Sequence, residues 1–271
     1  MRTTLIGGLV GALRFNLNRK AARARLFEMG RVFRRDADVA DGPLSVRGID
    51  QPLRVAGLAY GAAEDDHWAG AKRDVDFFDV KGDVEGLLEG KAVRFVPTEH
   101  PALHPGRSAA VECNGVTLGV VGELHPRWQQ KYELPGAPVV FELDVAPLLE
   151  AELPHWQPVP RFPVVLRDLA LWFDASVSLQ RVLDTVNELA QQDARLRVLR
   201  EFHLFDVYRA SAADSSKTTG ASANALLNKE KSLAFRVVLQ DTERTLSEAD
   251  ADAAIAALRE GLRDRVGARL R

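Results

Sequence analysis

The chain has 271 residues, 46% hydrophobic and 27% charged, which excludes a disordered polymer and gives room for two domains with buried cores. With 36 Lys and Arg against 38 Asp and Glu, its formal charge of −2 excludes a generic polyanion binder but not a locally basic groove. A lone cysteine, Cys113, excludes a disulfide framework and a cysteine-rich metal site, and it fits a reducing cytosol.

In chain order, Ile6, Leu9, Leu13 and Leu17 form an apolar helix stripe. A strand over 25–33 follows, then a second over 52–61. Phe77, Val80, Val84, Leu87 and Leu88 stripe another helix. Residues 93–96 read as a strand, and 109–122 as a hairpin turning at Asn114-Gly115. A strand over 139–143 and a short helix over 145–150 close this half, which reads as an antiparallel sheet flanked by helices. No apolar run reaches the roughly 18 residues of a membrane span, and the start carries no signal-peptide core.

Four prolines, at 154, 158, 160 and 163, mark a linker. The boundary is set near Pro158, giving domains 1–157 and 158–271. Residues 160–271 hold 17 basic and 16 acidic side chains, so the second half is not strongly basic either.

That half reads as βαββαβ. A strand over 164–173 has Leu169, Leu171 and Phe173 on one face. Ser178 caps a helix striped by Leu179, Val182, Leu183, Val186 and Leu189. Strands over 196–208 and 232–240 flank a long polar segment, 209–230, expected to be a mobile surface loop. Ser247 and Asp250 open a last helix in capping-box fashion, Gly267 ends it, and 268–271 is a short strand. The fold class is therefore α+β, a helix-flanked antiparallel sheet followed by a ferredoxin-like domain with one sheet face open.

Several stretches resemble the bacterial phenylalanyl-tRNA synthetase beta subunit, in its C-terminal portion. The first half carries Met1-Arg-Thr-Thr-Leu-Ile-Gly-Gly-Leu9, Leu26-Phe-Glu-Met-Gly-Arg-Val-Phe33, Phe77-Phe-Asp-Val-Lys-Gly82, His104-Pro-Gly-Arg-Ser-Ala109 and Gly122-Glu-Leu-His-Pro126. The second carries Arg161-Phe-Pro-Val-Val-Leu-Arg-Asp-Leu-Ala170, Phe205-Asp-Val-Tyr208, Lys231-Ser-Leu-Ala-Phe-Arg236 and Arg244-Thr-Leu246. The family's upstream tRNA-binding, B5-like and editing modules have no counterpart here.

The resemblance implies a class II synthetase-like domain at 1–157 without catalytic machinery, and a ferredoxin-fold anticodon-binding domain at 158–271. It implies as partners the alpha subunit, which performs ATP- and magnesium-dependent charging, a second beta subunit in a heterotetramer, and tRNA for phenylalanine. No cofactor is expected on this segment, no DNA or membrane partner, and a cytoplasmic location. The residues agree on the missing chemistry. The stretch 139–149 stands where the third class II motif belongs, yet it has no glycine and no arginine to hold a γ-phosphate.

His100, His104 and His125 each precede a proline, so they read as turn residues and not as metal ligands. Gly7, Gly8 and Gly11 lack a phosphate-loop ending and read as punctuation at a helix entry. Arg14, Arg19, Lys20, Arg23 and Arg25 are either a solvated cluster or a contact to RNA or a partner. On the second half's open face, strict alternation puts Asp168, Ala170 and Trp172, then Phe202, Leu204 and Tyr208, then Ala234, Arg236 and Val238.

Rings and an arginine on an uncovered sheet suit unpaired bases. Tyr208, Arg236, Trp172 and Phe202 are the candidate tRNA-binding residues. For Trp172 and Phe202 the favoured alternative is packing on the first domain or on Trp156. Two rival functions stand beside this one: a first domain that is itself a catalytic ligase, and a small-molecule-sensing ferredoxin-like domain fused to an inactive synthetase-like one.

Overall fold

Asn114 and Gly115 both adopt positive φ, 51° and 79°, the two left-handed positions a tight hairpin turn demands. They join two long strands, Leu103–Cys113 and Val116–Leu124 (β6 and β7). The first of these begins six residues before the predicted position, past a register irregularity between Leu103 and Ser108. The computed structural model describes residues 1–43, 45–65, 68, 72–150, 156, 159–209 and 230–271. They fall into two units, Met1–Pro154 and His155–Arg271. Most of the proline-rich linker and of the 209–230 segment lies outside the described residues.

In the first unit the hairpin joins β1 (Ala24–Arg31), β4 (Leu53–Tyr60), β5 (Val93–Pro97) and β8 (Val139–Asp144). The sheet order is β1-β4-β8-β7-β6-β5, every pair antiparallel. Two dipeptide strands, β2 (Arg34–Arg35) and β3 (Ile49–Asp50), pair apart from it.

Alternation along β8 assigns the two faces. Val140 packs with Ile6, Leu9 and Leu13 of α1 (Ile6–Leu17), whereas Val139, Phe141 and Leu143 pack with Val80 and Val84 of α2 (Phe77–Leu87). Gly7, Gly8 and Gly11 lie inside α1 and do not mark its entry. The buried stripe outweighs their poor helix propensity of about 1 kcal/mol each. Asp76 caps α2, accepting from the Phe78 and Asp79 N–H groups, while Asp79 accepts from Asp76 N–H. Two short helices complete the unit, α3 (Pro126–Lys131) and α4 (Ala146–Leu149).

The second unit runs β9 (Val165–Asp174), α5 (Leu179–Gln192), β10 (Leu199–Tyr208), β11 (Glu230–Leu239), α6 (Glu248–Val266) and β12 (Arg269–Leu270). Its antiparallel sheet has the order β10-β11-β9-β12, the ferredoxin-like arrangement expected from βαββαβ. Ser178 accepts from Arg181 N–H, and Ser247 and Asp250 form a reciprocal capping box. Gly267 ends α6 at φ 68°. The two helices approach closely at Gly261, where a Cβ would lie 2.4 Å from Leu189 Cδ1. Leu169, Leu171, Phe173, Leu233, Phe235 and Val237 face the helices and bury against Val182, Val186, Leu258 and Leu262.

On β10 the alternation fails. Phe202 and Leu204 pair with Val237 and Phe235 and share their covered face. Phe202 stacks on Phe235 with ring centroids 4.4 Å apart. A register shift between Leu204 and Asp206 then inserts a residue, so that Tyr208 pairs with Ser232 on the opposite face. Counting back by twos from Tyr208 therefore puts Phe202 and Leu204 on the wrong side of the sheet.

Candidate nucleic-acid interface

The uncovered face of the second unit's sheet is built from every other residue of β9 and β11. Asp168 pairs with Arg236, Ala170 with Ala234, and Trp172 with Ser232. The Arg236 guanidinium donates to both Asp168 oxygens, Nε to Oδ1 at 2.9 Å and Nη2 to Oδ2 at 3.0 Å. That pair holds Asp168 below the usual carboxylate range and raises Arg236. Both side chains remain exposed, so the pair's main effect is to orient the guanidinium. The ring of Phe205, the residue inserted at the β10 bulge, lies 5.1 Å from the guanidinium carbon.

A second cluster stands further along the face. Trp172 and Tyr208 meet edge to face at 6.0 Å, and the Arg271 guanidinium lies 5.1 Å from Tyr208 and 6.0 Å from Trp172. Arg271 is fixed there by its own N–H, which donates to Ala170 O at 3.2 Å. Between the two rings in the register sits Ser232, 1% exposed. Its Oγ is the one buried side-chain polar atom without a hydrogen-bond partner among the described residues.

Of the four candidates named from sequence, three share this face: Arg236 in the first cluster, Trp172 and Tyr208 in the second. Phe202 does not. Phe205 and Arg271 were missed. Strict alternation with Tyr208 outside puts Phe205 on the covered face, and Arg271 carries no local signal beyond its charge. Flat rings with two oriented guanidiniums between small residues can stack unpaired bases and donate to base edges or phosphates.

The first unit has a different character. Four of the five residues of the basic cluster are engaged within the chain: Arg14 pairs with Glu133, Arg23 with Asp65 at 3.1 Å and Arg25 with Asp83 at 2.7 Å, and Arg19 lies over Phe15. His100, His104 and His125 each accept a backbone N–H at Nδ1, from Ala102, Gly106 and Arg127, as turn residues do. No group of three or more His, Cys, Asp or Glu is placed to hold a metal among the described residues. The stretch 139–149, expected from sequence to stand at the third motif, forms β8 and α4, with β8 central in the sheet and buried up to Leu143. Those residues do not fit ATP or its magnesium, because they offer no guanidinium or glycine-rich approach to a phosphate.

The buried charge of the unit lies instead on the α1 face. Glu142, 2% exposed, accepts from Thr4 Oγ1 and pairs with Arg54 at 3.3 Å, and Arg54 reaches Asp144 at 2.7 Å. Half-buried His100 stands near this group. Burial pushes its imidazole below the ordinary 6.5, Glu142 opposes the shift, and Arg54 adds to it. The unfolded chain thus takes up the proton first, so His100 should contribute stability that is full above 6.5 and lost as pH falls below it. Thermal melts between about pH 5 and pH 7 should show a decline that His100→Asn removes, while Asn can still accept the turn N–H. Identical slopes for parent and variant would exclude His100 as the responsible group.

The model of the phenylalanyl tRNA synthetase beta chain CLM domain matches residues 1–145, and that of the ferredoxin-fold anticodon binding domain matches 160–271. The phenylalanine–tRNA ligase beta subunit of Ralstonia nicotianae is 52% identical over 271 residues, covering 100% of this chain and 32% of that protein. Its counterpart in Cupriavidus pinatubonensis is 50% identical over the same shares. That of Bordetella pertussis is 49% identical over 264 residues, 97% of this chain and 32% of the other. The chain thus spans about a third of the length of these curated relatives. A pyrrolysyl tRNA synthetase from Desulfitobacterium hafniense superposes with a TM-score of only 0.39 at 15% identity, over 55% of this chain and 48% of that one, and adds nothing to the assignment. No helix among the described residues is long and apolar enough to cross a membrane. With both halves matched in order and half of all positions shared with its relatives, the chain belongs to the phenylalanyl-tRNA synthetase beta chain family.

Proposed function

We propose that this chain is a tRNA-holding and scaffolding part of a cytoplasmic phenylalanine–tRNA ligase, with unpaired anticodon bases of phenylalanine tRNA lying on the open face of the second unit. The observation that carries this reading is the pair of ring-and-guanidinium clusters, Arg236 with Phe205 and Arg271 with Tyr208 and Trp172. The rings give sequence-tolerant stacking, and Asp168 holds Arg236 so that little rotamer freedom is lost when RNA arrives. The interface carries few cations, so its affinity depends weakly on salt and the rest of the assembly supplies most of the binding.

The first unit, 1–157 by the sequence boundary, is the catalytically silent synthetase-like domain. It pairs with the alpha subunit in a heterotetramer holding a second beta subunit. ATP and magnesium act in the alpha subunit, and DNA is not a partner. The absence of arginine from β8 and α4 supports this division and speaks against a catalytic first domain. No observation favours the small-molecule-sensing alternative for the ferredoxin-like half.

The test is titration of the full chain with phenylalanine tRNA. Each of Tyr208→Ala and Arg236→Ala should weaken binding by about 1–3 kcal/mol, roughly 5- to 150-fold. Parental affinity in both variants would remove the open face from the interface.

A further inference from the structure

The first unit holds a cavity of about 390 Å³ that none of these roles uses. It lies between the N-terminal half of α1, the turn at 100–102 and α3. Ile6, Val10 and Leu124 give it an aliphatic floor, and Trp128 and Tyr132 an aromatic side. Its walls are fixed from behind. Trp128 Nε1 donates to Pro101 O at 2.9 Å. Thr4, also lining the cavity, donates to buried Glu142, which is held in turn by Arg54. Gly7 keeps the space open, since even the nearest atom to a Cβ there, Tyr132 Oη, is 4.0 Å away. Size, aromatic lining and a rigid frame are the marks of a preformed small-molecule site.

The polar side chains on its wall can all donate hydrogen bonds, the hydroxyls accepting as well. His100 Nδ1 is occupied by the Ala102 N–H at 3.3 Å, so the neutral ring carries its hydrogen on Nε2. The same burial that lowers its pKa keeps it neutral near pH 7. Thr3 and Tyr132 add hydroxyls to the lining. We propose that this cavity binds a small molecule with an aromatic, ring-sized body and a carbonyl acceptor. The ring packs on Trp128 and Tyr132, and the carbonyl accepts from His100 Nε2–H. This site is independent of the tRNA reading, because it lies wholly in the first unit.

Benzamide is the probe, titrated into the full chain and followed by the indole N–H resonance of Trp128 and by melting temperature. The parent should show a saturable shift and a melting temperature that rises with benzamide concentration. Gly7→Leu, which fills the cavity with a better helix former, should abolish both. His100→Asn, keeping the turn acceptor but removing Nε2–H, should weaken binding about tenfold. It serves as the second variant should Gly7→Leu fail to fold. Absence of saturable binding by the parent overturns the proposal. So does a folded Gly7→Leu chain, or His100→Asn, that binds benzamide as the parent does.

Discussion

Arg54→Ala should destabilise the first unit by about 3–5 kcal/mol, the cost of leaving a buried charge without its partner. Glu142 sits on β8 between β4 and β7, with its side chain 3% exposed, and among the described residues Arg54 is the one cation paired with it. Thr4 would remain as a neutral donor, which cannot replace a full positive charge. Urea unfolding of the full chain, following the first unit's transition, measures the loss. Replacing both Arg54 and Glu142 by leucine should recover most of it, because an apolar pair needs no desolvation. A single-variant loss below about 1 kcal/mol would mean that water reaches Glu142 and solvates it. Thr4 and Glu142 also frame the proposed cavity, so the single variant should loosen that site along with the fold.

The second large effect is expected at Phe235. It is fully buried on β11, stacked on Phe202 at 4.4 Å and edge-on to Phe173 at 6.4 Å. Phe235→Ala should cost the second unit about 3–5 kcal/mol, because ring burial is lost and the surrounding sheet cannot close the void. Its neighbours Ala234 and Arg236 point to the opposite face, so melting this strand removes the interface as well. Phe202→Ala separates packing from recognition. It should lower stability while the folded protein keeps parental tRNA affinity, since Phe202 lies under the sheet. Loss of affinity at full stability would put Phe202 back among the contacts.

Much of the second unit was legible because its signals are local. Ser178, the Ser247–Asp250 box and Gly267 mark helix ends within four residues of chain, and Asn114-Gly115 did the same for the first unit's hairpin. The stripes of α1 and α5 named their buried faces for the same reason, and that of α2 did so except at Leu87, which is 49% exposed near the helix end. Legibility failed where a partner strand sets the count. The bulge after Leu204 is invisible along β10 alone, because a bulge is one residue too many against the opposite strand. That single residue sends Phe202 into the core, leaves Tyr208 outside and frees Phe205 to meet Arg236.

Charge was the least legible property. Five basic residues between 14 and 25 look like a patch in sequence, yet three of them pair with Glu133, Asp65 and Asp83 from elsewhere in the unit, and Arg19 lies back over Phe15 one turn earlier. Arg271, a single charge at the end of the sequence, instead completes a cluster with two rings from different strands.

Fold class, element order and most helix caps followed from residue types and short spacings alone. Such features depend on neighbours within a turn or two of chain. The membership of the open face, the pairing of each arginine and the cavity beside His100 depend on residues tens of positions apart. Only packing of the sheets and helices brought those together, because Coulomb and ring contacts act across a few ångströms of space whatever the distance along the chain.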